Sequence, residues 1–120
     1  MGLRLETLEK YVELARRILI EVAKGKRRDR SITYKGLMGE MGGPGRGYIG
    51  EVLEAICQAE HREKRPLLSA LVVHSNDRLP GDAFWKLSVV PPHIRTGSKE
   101  EKKKFWKNEC DKLYKRWGNE

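Results

Sequence analysis

Hydrophobic positions recur along this chain in two different rhythms, and the rhythm predicts the elements. Leu5, Leu8, Val12, Ala15, Leu19 and Val22 fall at helical spacing, and Tyr11, Leu14 and Ile18 widen the stripe. Glu6, Glu9, Lys10, Glu13, Arg16 and Arg17 take the other face, so 5–24 reads as an amphipathic helix, with Gly25 suited to cap its end. A short helix is predicted over 34–41, capped by Ser31 or Thr33, with Leu37, Met38 and Met41 inward. Ile49, Val52, Leu53 and Ile56 predict a further helix over 47–62. Near the C-terminus, Phe105, Trp106, Cys110, Leu113, Tyr114 and Trp117 form one stripe of a helix over 99–117. Ser98 precedes it and Glu101 stands at its third position, which is a capping box.

The rhythm changes in the middle of the chain. Residues 67–74 are an almost unbroken apolar run and read as a strand. Ser75, Asn76, Asp77 and Arg78, then Pro80, Gly81 and Asp82, carry turn chemistry. Phe84, Trp85, Leu87, Val89 and Val90 suggest a returning strand over 83–90, closed by Pro91 and Pro92, with 93–97 as a linker. The glycines at 42, 43, 45 and 47 join the helices on either side by a tight turn, the pattern of a helix-turn-helix. The expected class is therefore α+β: a winged-helix-like core over 31–90, with a β-hairpin as its wing, and added helices at 5–24 and 99–117. A chain of 120 residues has room for one such domain.

Charge adds a partner to this picture. The net charge is +8, and the excess is clustered at Lys24, Lys26, Arg27, Arg28 and Arg30, and again at Lys99, Lys102, Lys103, Lys104 and Lys107. Such clusters attract polyanions: DNA foremost, then RNA or an acidic membrane face. No apolar run approaches the roughly 20 residues of a membrane helix, so no membrane partner is expected. The N-terminus enters a charged amphipathic pattern directly, without signal-peptide character, and a cytoplasmic location is expected. Cys57 and Cys110 lie far apart on helical stripes, outside any metal-ligand spacing, and read as reduced, buried small hydrophobes.

Candidate chemistry centres on the glycine turn. Gly45-Arg46-Gly47-Tyr48-Ile49-Gly50 matches G-x-G-x-x-G, but the dinucleotide fingerprint needs a preceding strand, and here a helix precedes. No cofactor is expected. Two readings of the turn stay open: a helix N-terminus that receives a phosphate beside Arg46, or a plain tight turn. Lys26, Arg27, Arg28 and Arg30 form either a solvated loop or a phosphate-contacting one. With Tyr34, Lys35, Arg46, Gly47 and Tyr48 they make up the candidate nucleic-acid contact. Beyond its first turn, the second helix of the pair is expected to expose Glu51, Glu54, Gln58 and Glu60, which would repel phosphates. An enzymatic alternative groups Glu51, His74, Asp77 and Asp82 as a metal site for a small nuclease, against turn-forming roles for Asp77 and Asp82. His61 and His93 read as plain surface residues, and Ser69 lacks a nucleophile-elbow context.

Thr33-Tyr34-x-x-Leu37-Met38, the Gly-Pro-Gly-Arg turn, Ile49-Gly50 and Val72-Val73 followed by a turn with glycine carry a resemblance. Over 32–85, under half of the chain, the sequence resembles the DNA-binding domain of alkylguanine-DNA alkyltransferases and their non-catalytic alkyltransferase-like relatives. The resemblance implies a winged helix that holds DNA, with an arginine near the recognition helix entering the base stack; Arg46 is the nearest counterpart. Where the family carries Pro-Cys-His-Arg-Val-Val, this chain carries Leu68-Ser69-Ala70-Leu71-Val72-Val73. The alkyl-accepting cysteine and its histidine are both replaced, so alkyl transfer is not expected.

Overall fold

A computed structural model describes residues 4–25, 31–43 and 46–118, with the side chains of 46, 47, 82 and 83 outside the description. Helix α1 (Leu5–Ala23) leads to a two-residue strand β1 (Ile32–Thr33), then α2 (Tyr34–Met41) and α3 (Arg46–Arg62). A 3-10 turn (Leu68–Leu71) runs into β2 (Val72–Val73), followed by one-turn helices α4 (Asp82–Trp85) and α5 (Pro92–Arg95) and the long α6 (Lys99–Gly118). β1 and β2 pair in parallel, Ile32 opposite Val72 and Thr33 opposite Val73. The fold is thus mostly helical around a minimal parallel sheet.

The four long helical stripes form where periodicity places them. Ala15, Ile18, Leu19 and Val22 of α1, Leu37 of α2, Val52, Leu53 and Ile56 of α3, and Leu113 of α6 meet in one core. α1 packs on α3, on the 3-10 turn and on α6, so the turn sits at the centre, with Leu68 and Leu71 fully buried. Ser98 caps α6 as the capping box predicts: its Oγ accepts from Glu101 N–H at 3.2 Å, and its own N–H reaches back to Glu101 Oε1. Thr33 caps α2, its Oγ1 accepting from Gly36 N–H at 3.0 Å.

The hairpin expected over 67–90 does not form. Its first strand shortens to Val72–Val73, because the preceding residues find their backbone partners elsewhere. Ala70 N–H donates to Leu67 C=O, and Ala70 C=O accepts the Trp106 indole N–H at 2.7 Å. Glu109 of α6 accepts from Leu67 N–H. Side chains of α6 therefore do the work of a neighbouring strand, and the buried run turns instead of extending. The second strand is replaced by three successive turns: Phe84 N–H to Gly81 C=O, Leu87 N–H to Phe84 C=O and Val90 N–H to Leu87 C=O. Each turn buries one residue, Phe84, Leu87 and Val90, at a spacing of three that belongs to turns and helices. The expected linker over 93–97 holds most of α5, and Arg95 from it donates to the carbonyls of Leu87, Ser88 and Val90.

Candidate nucleic-acid interface

The helix pair α2–α3 is held by its turn. Gly42 ends α2 at φ +75°, and Gly43 follows at φ +143°, its N–H donating to Met38 C=O at 3.1 Å. A Cβ on Gly43 would stand 2.7 Å from the Tyr11 hydroxyl, so the turn is seated directly against α1. The chain re-enters helix at Arg46. Arg46 and Gly47 occupy the first two positions of α3, as expected for a turn that delivers a cation to a helix start; their side chains lie outside the description. Lys26, Arg27, Arg28 and Arg30 also lie outside the described residues.

Tyr48, the third residue of α3, is 40 % exposed, one of two large hydrophobic side chains so exposed among the described residues. Lys35, in the first turn of α2, is exposed as well. Tyr34 beside it is half-buried and has a structural duty: its hydroxyl accepts from Gly81 N–H at 3.0 Å, and its ring leans on His74 at 5.2 Å between centroids. Gly81 closes the contact, since a Cβ there would meet His74 Nε2 at 2.6 Å and the Tyr34 hydroxyl at 3.3 Å. The loop 74–79 is thereby pinned to the start of α2.

Of the acidic face expected on α3, Glu60 is internal and Glu51 and Glu54 are half-buried. Glu60 is fully buried, with Arg16 Nε at 2.5 Å from one oxygen and Arg65 Nε at 2.5 Å from the other. The Glu60 bond raises the pKa of the Arg65 guanidinium above its ordinary value. Glu54 Oε1 accepts from Ser88 N–H and from the Gln58 amide. Glu60 thus braces the domain with its charge compensated by two arginines, whereas Glu54 Oε2 is buried without a hydrogen-bond partner among the described residues. Gln58 stays exposed and Glu51 half-buried.

Of the alternative metal site, the described side chains of Glu51, His74 and Asp77 form no ion-holding group. Among the described residues, no three His, Cys, Asp or Glu side chains stand close enough to hold an ion. Asp77 is a turn former: its Oδ1 accepts from Leu79 N–H at 3.0 Å. His74 is exposed and its ring meets that of Tyr34 at a tilt of 42°, and the Asp82 side chain lies outside the description.

Ser69 is buried, with its Oγ 2.9 Å from Cys57 Sγ. The space beside it, lined by Tyr34, Leu53 and Phe84 among others, is about 10 Å³, the size of one water and too small for an alkylated base. Burial pushes the Cys57 thiol up to about 11, so it stays neutral where a nucleophile would need to ionise. Both cysteines are free and buried, as their place on the stripes predicts. Among the described residues no helix is long and apolar enough to cross a membrane. No family model, no curated protein and no solved structure matches this chain.

Proposed function

We propose that this chain is a small DNA-binding protein that presents the α2–turn–α3 unit to a duplex and performs no alkyl transfer. The observation that carries the reading is that Lys35 in the first turn of α2 and Tyr48 in the first turn of α3 are exposed, while Glu60 turns inward onto Arg16 and Arg65. The net charge of +8 supports a polyanionic partner. The order α2, glycine turn, α3, β2 is the winged-helix order with the hairpin gone, and the pinned loop 74–79 is the nearest counterpart of a wing. Ser69, buried in the cysteine position, is the support for a relative of the alkyltransferases that holds DNA without reacting. Two free thiols suit a reducing compartment, and the proposed location is cytoplasmic.

The reading is tested by titrating a labelled duplex with the protein at rising salt. The expected result is a log–log line whose slope is about −0.9 per phosphate neutralised. Absence of binding at low salt to any duplex overturns it.

A further inference from the structure

A groove of about 470 Å³ opens between α6 and the segment around β2. Its lining comes from three stretches: Ser31 ahead of β1, Ala70 and Arg78 on either side of β2, and Trp106, Lys107 and Tyr114 on α6. Two aromatic rings and two cations so placed form a recurring combination for recognising an aromatic base that carries a phosphate. The volume lies within the usual range of small-ligand sites.

The groove is built before any ligand arrives. Trp106 is fixed by its N–H bond to Ala70 C=O. Arg78 is set by a backbone turn at φ +57° and donates Nη2 to Ser31 Oγ at 2.8 Å. Cys110 also lines the groove, but burial pushes its thiol up to about 12, so it contributes no negative charge. Asp111 is the one carboxylate among the lining residues. Lys103 lies one turn before Lys107 and three before Tyr114 on the same face of α6, so cations outnumber Asp111 along this side of the groove. The surroundings therefore favour an anion.

We propose that this groove binds one nucleotide unit, its base against the Trp106 or Tyr114 ring and its phosphate between Arg78 and Lys107. The unit comes either from an unpaired stretch of nucleic acid or from a free nucleotide. The site shares Arg78 with the loop 74–79 but takes its rings and Lys107 from α6, so it does not depend on the duplex reading.

The test uses the full chain with two probes at fixed salt: a short labelled deoxythymidine oligomer and a fluorescent ADP. Arg78→Gly keeps the backbone conformation that glycine favours and removes the cation; Lys107→Ala removes the other at an exposed position. The double variant is expected to weaken binding of at least one probe by roughly tenfold. A control pair on other exposed surfaces, Lys10→Ala with Lys115→Ala, is expected to cost about twofold or less, as two lost background charges should. Loss confined to the oligomer assigns the nucleotide to a strand, and loss of ADP binding assigns it to the free molecule. Equal losses in the double variant and the control, or no binding of either probe by the unaltered chain, overturn the proposal. If the double variant unfolds by circular dichroism, Lys107→Ala alone must still weaken a probe beyond Lys115→Ala alone, or the proposal fails. A chain that binds the oligomer through Arg78 and Lys107 but ignores duplexes overturns the duplex reading and leaves the groove standing.

Discussion

Arg16 Nε lies 2.5 Å from Oε1 of Glu60, a carboxylate with no exposed surface, and so ties α1 to the C-terminal half of α3. Arg65 takes the second oxygen, and the Arg16 guanidinium also stands 5.6 Å over the Trp117 ring of α6. Three helices and the segment after α3 thus meet at one buried charge. Removing a single partner from such a group leaves charge uncompensated, which costs more than the pair contributes against an apolar substitute. Glu60→Gln is expected to lower unfolding free energy by about 3 kcal/mol, the low end for a broken buried pair because both arginines are partly solvated. Arg16→Ala, which leaves Arg65 in place, is expected to cost about 1–2 kcal/mol. Urea unfolding of the two variants checks both, and equal small losses would show that the carboxylate is solvated after all.

The seat of the glycine turn on Tyr11 yields a coupling. Gly43→Ala places a Cβ at φ +143° and 2.7 Å from the Tyr11 hydroxyl, and is expected to destabilise by about 2 kcal/mol. Tyr11→Phe removes the nearest atom, leaving the ring carbon at 3.3 Å. In that background the cost of Gly43→Ala should fall by roughly 0.5–1 kcal/mol, within the range of coupling between touching residues. A double-mutant cycle from thermal melts reads the difference, and strict additivity would place the whole cost in the backbone.

Helices with capped ends and amphipathic stripes were legible in the sequence: α1, α2, α3 and α6 form within a residue of their expected bounds. The buried middle was not. A short run such as 67–74 has no polar alternation, so periodicity cannot tell a strand from a turn, and the deciding partners, Trp106 and Glu109, lie about forty residues on. Two signals could have been found. Phe84, Leu87 and Val90 recur every three residues, a spacing a strand does not use. Glu60 continues the stripe of Ile49, Leu53 and Ile56, so its burial is written in the same rhythm that predicts the helix. A charged residue on an apolar stripe asks for a buried partner, and the arginines supply it. Of the contact residues, Tyr34 also has a role in the fold that its type does not announce, its hydroxyl accepting from Gly81 N–H.

The two thiols give a pH dependence with a definite sign. Burial raises Cys57 from 9.0 to about 11, and Cys110 from 9.0 to about 12. In the unfolded chain each ionises near its ordinary value, so the folded state retains protons that the unfolded state has lost. Their contribution is fully present below about pH 9 and is lost as pH rises toward 11 and 12. Urea midpoints measured in reductant at pH 8 and pH 10.5 should fall more steeply for the unaltered chain than for Cys57→Ala with Cys110→Ala. The same neutrality predicts that thiol reagents at pH 8 modify the folded protein far more slowly than the urea-unfolded chain.

Tyr48 separates the binding reading from the fold. It is 40 % exposed and on the outer side of the α3 stripe, so Tyr48→Ala should change stability by about 0.5 kcal/mol or less. Lys35→Ala, equally outside the core, should be as mild. If α2 and the start of α3 face a duplex, each nevertheless weakens it, and by different means. Loss of Lys35 removes a phosphate contact and flattens the salt slope by about 1, with little change among duplex sequences. Loss of Tyr48 removes apolar or stacking contact, so affinity should drop roughly tenfold at every salt concentration while the slope holds. Duplex titrations of the two variants across salt distinguish the signatures. Identical, slope-only changes in both would reduce the surface to electrostatics, and no change in either would place the duplex elsewhere on the molecule.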